Sequence, residues 1–177
     1  MLAIIITLYT MAFQGYETQA YEVVDQLDAI EIRYYPPAMK VKVESSLSEN
    51  RNFNALFRYI SGNNASNQKI AMTTPVYMHN TPQRQTMEFV LPSRFKDEAP
   101  EPKGAGVEVY QSKAGHFAAI RYGGYSNSEK VKHYTCTLLK ALKEAGKKVT
   151  SAAIVLSYDA PYKFYNRRNE ILFEIDY

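Results

Sequence analysis

Tryptophan is absent, and the chain has a single cysteine, Cys136. One thiol excludes an internal disulfide and any cysteine-based metal cluster. Cys136 falls inside a helical pattern, beside that helix's apolar stripe. This predicts a partly buried, inert thiol rather than a nucleophile. Histidine is scarce too: there are three, His79, His116 and His133, and none lies between Tyr21 and Met78. GxSxG, HExxH and P-loop strings do not occur, and Gly123-Gly124 lacks the glycine spacing and trailing lysine of a phosphate cradle. Asp97, Glu98 and Glu101 form a loop charge run, not a paired acid and base. No enzyme constellation emerges from these residues, and the expectation is a chain without a catalytic group or a metal site.

Strong charge is missing as well. The formal net charge is +3, and lysine and arginine are scattered rather than striped along one element. That excludes nucleic acid as the expected partner and is compatible with an anionic small ligand. No apolar run is long enough to span a bilayer. The longest, LAIIITLYTMAF at residues 2–13, is followed by polar residues, and Thr18 and Ala20 are small enough for cleavage after Ala20. This pattern is similar to a secretory signal peptide, although no lysine or arginine precedes Arg33. The expectation is a signal-like or anchor segment over 1–20, with an exported or periplasmic protein if it acts as a signal and a cytoplasmic one otherwise. A first core strand is the structural alternative.

What remains is a chain of 177 residues with 46% apolar residues and 15 tyrosines. This suits one soluble domain, placed at 21–177. Many tyrosines can line a strand-rich surface or a ligand cleft, and strand packing is the favoured reading. MKVKVE (39–44) alternates strictly, with Met39, Val41 and Val43 on one face. TMEFVL (86–91) puts Met87, Phe89 and Leu91 on one face. Ser46 and Glu49 fit a capping box before a helix with the stripe Phe53, Leu56, Phe57 and Ile60. Ser126 and Glu129 fit another, before Val131, Thr135, Leu138, Leu139 and Leu142, with Gly146 at the stop. Each half, about 21–92 and 107–177, therefore reads strand, strand, helix, strand, strand. A duplicated unit accounts for this order.

KIAMTTPV (69–76) follows a helix end, FRYISGNN (57–64), and EIRYYPP (31–37) and APYKFYNRRNEI (160–171) flank it at a distance. Together these segments resemble the SOUL haem-binding family. The resemblance implies an α+β fold: a distorted eight-stranded antiparallel β-barrel with two flanking helices, built from a duplicated unit. It also implies non-enzymatic binding of haem or another tetrapyrrole in a hydrophobic cleft, for transport, buffering or scavenging. A similar fold serves as an effector-binding domain, so a non-haem small molecule or a protein partner is the alternative.

Haem often takes an axial histidine. His79, after the KIAMTTPVYM strand, is the best-placed candidate here. His133 reads as solvated and His116 as a turn residue. Holding haem without a histidine needs an apolar cleft and cations for the propionates. Met72 is the candidate on the apolar side, with core packing as its plain alternative. Arg58, on the outward face of the first helix, either meets a carboxylate or keeps that helix soluble. Arg167 and Arg168, with Lys163 nearby, form the densest basic cluster, and arginine suits bidentate carboxylate recognition. Asp159 and Glu170 are the acids that could pair with them internally.

Overall fold

The computed structural model describes residues 15–45, 49–81 and 84–177. In chain order the elements are β1 (Glu17–Thr18), β2 (Glu22–Leu27), β3 (Ile30–Tyr35), β4 (Met39–Ser45), α1 (Glu49–Ile60), β5 (Thr73–Thr74), β6 (Val76–Asn80) and β7 (Gln85–Val90). Then follow β8 (Val107–Gln111), β9 (Gly115–Gly123), α2 (Ser128–Glu144), β10 (Lys148–Val149), β11 (Ile154–Ser157) and β12 (Arg168–Asp176). The main sheet is antiparallel and runs β2-β3-β9-β12-β11-β6-β7-β4-β8, with β10 beside β12. It does not close: among the described residues β2 pairs only with β3 and β8 only with β4. The α+β class with two helices stands, and the expected eight-stranded barrel is not confirmed, since the sheet does not close among the described residues.

From β3 to β8 the order is palindromic. Exchanging β3 with β8, β9 with β4, β12 with β7 and β11 with β6 returns the same pairings, with β6 and β11 side by side at the centre. Pro75 has no N–H to give a ladder, and it divides the expected KIAMTTPVYM strand into β5 and β6.

Both helices lie on one face of the sheet. α1 packs Leu56 and Ile60 against Val41 of β4 and Met87 and Phe89 of β7. α2 packs Leu138 and Leu142 against Ile120 of β9 and Ile171 and Phe173 of β12. Each such side chain contributes roughly 1.5–3 kcal/mol on burial. The stripes are narrower than the spacing predicts, since Phe57 and Leu139 are 48% and 39% exposed. Cys136 is also exposed, against expectation. The cap of α2 is Asn127, whose side chain accepts from Lys130 N at 2.9 Å, because the Ser126 hydroxyl is engaged with Tyr122 OH at 2.8 Å. The predicted Ser46 cap lies outside the described residues.

Alternate strand residues form a third core on the other face: Tyr35, Tyr77, Val90, Leu156 and Leu172. The segment before Tyr21 belongs to this layer. β1 runs parallel to β5, and Gln19 N donates to Thr74 O at 2.9 Å. Gln19 Oε1 accepts from the buried Tyr77 hydroxyl at 2.6 Å. The packed unit thus begins upstream of the boundary drawn at Tyr21.

Candidate functional site

Two carboxylates are buried in the face away from the helices, Glu88 on β7 and Glu170 on β12, strands that exchange in the palindrome. A buried charge must be paired or it costs several kcal/mol. Glu170 accepts from Arg33 at 2.6 and 3.1 Å, from Arg168 at 2.7 and 3.0 Å, and from Tyr158 OH at 2.9 Å. Burial works against its ionised form, but the hydrogen bonds and charge of Arg33, with those of Arg168, overcome that and hold its pKa at about 2. Glu88 is opposed by burial in the same way. His79, with Nε2 3.5 Å away, and Lys40, at 3.1 Å, hold it too at about 2. Lys40 Nζ also sits 3.5 Å from the Tyr77 ring centroid.

Above the Glu170 network lies a cavity of about 730 Å³, within the range of small-molecule sites. Its wall comes from the end of β9 (Arg121, Tyr122, Gly123), the turn at Gly124, the segment 158–167, Arg168 at the start of β12, and Thr18 and Thr74. Hydrogen bonds staple the 158–167 segment in shape. Asp159 accepts from Lys163 Nζ at 2.5 Å and from Arg168 N at 2.6 Å. Arg167 Nη1 donates to the carbonyls of Ala160 and Lys163 at 2.7 and 2.6 Å. The Arg167 guanidinium lies 4.4 Å from the Tyr125 ring centroid, and Tyr125 OH donates to Pro161 O at 3.2 Å.

The charges in this wall do not cancel. Lys163 is matched by Asp159, and Arg168 by Glu170. Arg167 is 8% exposed, has no acidic partner among the described residues, and its buried Nε lacks an acceptor. Arg121 is exposed on the same wall and has no acidic partner among them either. A buried guanidinium without a counter-charge is unfavourable unless an anion completes it. The site therefore presents two uncompensated cations to an anionic group, with forked donors that suit a carboxylate.

Of the residues singled out from sequence, Arg167 and Arg168 come together here. Arg58 is exposed on α1, and half-buried Met72 packs with the α1 core. His79 faces Glu88 on β6. None of these three lines the cavity. Arg121, Tyr122 and Tyr158 were not legible as site residues, because only strand register brings the end of β9 beside the start of β12. The cavity wall mixes polar and apolar surface, with polar side chains from most of its residues, while the large aliphatic side chains are packed in the three cores. Further aromatic surface is found at the rim, where Tyr125, Tyr162, Phe164 and Tyr165 are 53%, 81%, 78% and 59% exposed.

A family model for the SOUL heme-binding protein matches residues 16–174. The chain belongs to the SOUL family. The match begins at 16, which agrees with the packing of β1 and Gln19. Heme-binding protein 2 of Homo sapiens is 29% identical over 160 residues, covering 82% of this chain and 78% of its own. Among solved structures, the EcmrR C-terminal domain superposes with a TM-score of 0.57 at 12% identity, covering 83% of this chain and 96% of that one. A structure described as a hydrolase from Listeria innocua superposes at 0.59 with 8% identity, covering 86% of this chain and 94% of its own. At such identities these two likenesses concern the fold alone.

Proposed function

We propose that this SOUL-family chain binds haem or a related tetrapyrrole without catalysing a reaction, and that the ligand's carboxylates enter the Arg121–Arg167 cavity. The observation that carries this reading is Arg167: buried, fixed by two carbonyls, and lacking a counter-charge. Its free donors and Arg121 suit propionates, and the rim aromatics offer surface to a planar ring. Bound haem supplies an iron centre. The protein's part is to hold the carboxylates and shield one edge of the ring. Among the described residues no histidine, methionine or cysteine lines the cavity. Tyr158 is a poor phenolate, because burial, with Glu170 beside it, raises its pKa well above the ordinary value. The binding mode is therefore one without an iron ligand from the protein. Transport, buffering or scavenging in an exported compartment is the role proposed for it.

Titration with hemin and with iron-free protoporphyrin tests this. Both should bind with similar affinity, and Arg167→Met should weaken both by about tenfold or more, the value of a charge-assisted pair away from water. His79→Ala should leave the bound spectrum unchanged. Hemin binding that protoporphyrin does not match, or that is lost in His79→Ala while the fold persists, would refute this mode. The polar side chains of the wall also favour a second reading, an effector-type site for a smaller anion. Saturable binding of a small dicarboxylate with no porphyrin binding would support that one.

A further inference from the structure

The rim of the cavity presents a second feature that ligand binding does not require. Tyr162, Phe164 and Tyr165 of the 158–167 segment are exposed aromatic side chains, as is Tyr125, whose hydroxyl reaches Pro161 O; the Phe164 and Tyr165 rings lie 5.4 Å apart. Exposed aromatics in this number mark a contact surface rather than chance. The loop carrying them is not slack. It is pinned by the Lys163–Asp159 ion pair, by the two carbonyl bonds of Arg167 and by Tyr125 OH on Pro161 O. Buried cations thus fix the backbone that holds apolar rings out in water, an arrangement that lowers stability unless something covers them.

We infer that this face docks on an anionic lipid surface. Two observations favour lipid over a protein partner. The rings protrude, at 81% and 78% exposure for Tyr162 and Phe164. A rigid partner would need a matching pocket, whereas a headgroup layer closes around such rings without one. Three of the four rings are tyrosines, amphipathic groups that sit at the headgroup level. Beside them Arg121 is exposed and has no acidic partner among the described residues, and anionic leaflets attract such a charge at short range. Among the described residues no helix is long and apolar enough to cross a membrane, so the contact is interfacial. The ring contact is separate from the cavity's ligand, but Arg121 also lines the cavity, so the vesicle measurement is made on the ligand-free chain.

The test is sedimentation of the full chain with phosphatidylcholine vesicles, with and without phosphatidylserine. Binding should require phosphatidylserine and fall with added salt. Tyr162→Ser with Phe164→Ser should weaken it by about tenfold or more, as removal of two buried rings implies. Phe57→Ser, an exposed ring on α1, should have no effect; thermal melts establish that each variant is folded. Because the chain has no tryptophan, Phe164→Trp introduces a lone indole, whose emission should shift to the blue on the same vesicles. The inference is overturned if the wild type does not bind, or if binding ignores phosphatidylserine. It is also overturned if the double serine variant binds like the wild type while the indole emission of the Phe164→Trp variant stays unmoved, the result expected if residues 2–13 alone bound the lipid.

Discussion

Acid should unfold this protein through two specific side chains. Glu170 and Glu88 each have a folded pKa of about 2 against an ordinary 4.5. A carboxylate whose folded pKa is depressed stabilises the fold above its unfolded pKa, and that stabilisation is lost as pH falls towards the folded value. Each difference is worth about 3 kcal/mol. Their combined effect is comparable with the roughly 5–15 kcal/mol that a domain usually has in total. Urea midpoints should therefore be nearly flat from pH 8 to about pH 5, then fall steeply between about pH 4.5 and pH 2. Glu170→Gln removes one titrating group but leaves Arg33 and Arg168 facing a neutral amide. It should lower stability at pH 7 by about 3–5 kcal/mol and flatten the acid limb. The contrast between the two pH regimes is the decisive measurement. If the variant and the wild type lose stability in parallel below about pH 4.5, Glu170 is not held ionised and the network does not work as described.

Three further outcomes follow from the packing. Leu138→Ala and Leu142→Ala should each cost about 2–5 kcal/mol in urea unfolding, whereas Leu139→Ala, on the wet side of α2, should stay within about 0.5 kcal/mol of the wild type. Gln19→Ala should cost about 1–3 kcal/mol, because the buried Tyr77 hydroxyl loses its acceptor; deletion of residues 1–20 should cost at least as much, and equal stability would detach β1 from the domain. If a leader is removed in the native host, mass spectrometry should find the mature chain beginning upstream of Glu17, and a start at Tyr21 would contradict the packing of Gln19.

The alternation in MKVKVE and TMEFVL identified the helix-facing residues correctly, since Val41, Val43, Met87 and Phe89 are all buried under α1. It misread their neighbours. Lys40 and Glu88 fall on the face that alternation assigns to solvent, yet both are buried, at 7% and 6% exposure. The reason is non-local: a tyrosine layer and the segment before Tyr21 cover the second face, and no local period reports a cover supplied from elsewhere. The helix stripes failed by one position each. α2 meets the sheet through Val131, Tyr134, Leu138, Ala141 and Leu142, and Tyr134 stacks on Tyr122 at 4.7 Å. The spacing rule cannot choose between Leu139 and Tyr134, because it does not say which edge of the stripe the sheet covers. Arg167 and Arg168 were legible as a dense cluster. That one pairs with Glu170 while the other pairs with no acid among the described residues depends on strand register and a loop conformation, and composition encodes neither.

The location of the site follows from where the palindrome breaks. β6 and β7 are joined by residues 81–84, whereas the corresponding strands β11 and β12 are joined by residues 158–167. The longer connection sits on an equally buried glutamate, so it inherits the same electrostatic floor. Its extra residues have no partner in the other half to pack against. They supply Asp159, Lys163 and Arg167 for the cavity wall and Tyr162, Phe164 and Tyr165 for the rim. Loops that exceed the length needed to join two strands are more often functional than structural. In the other half His79 Nε2 lies 3.5 Å from Glu88 and Lys40 pairs with the same carboxylate. The symmetric strands account for stability, and the asymmetric connection accounts for the uncompensated arginine. A ligand site is therefore expected on one end of this sheet and not on its counterpart.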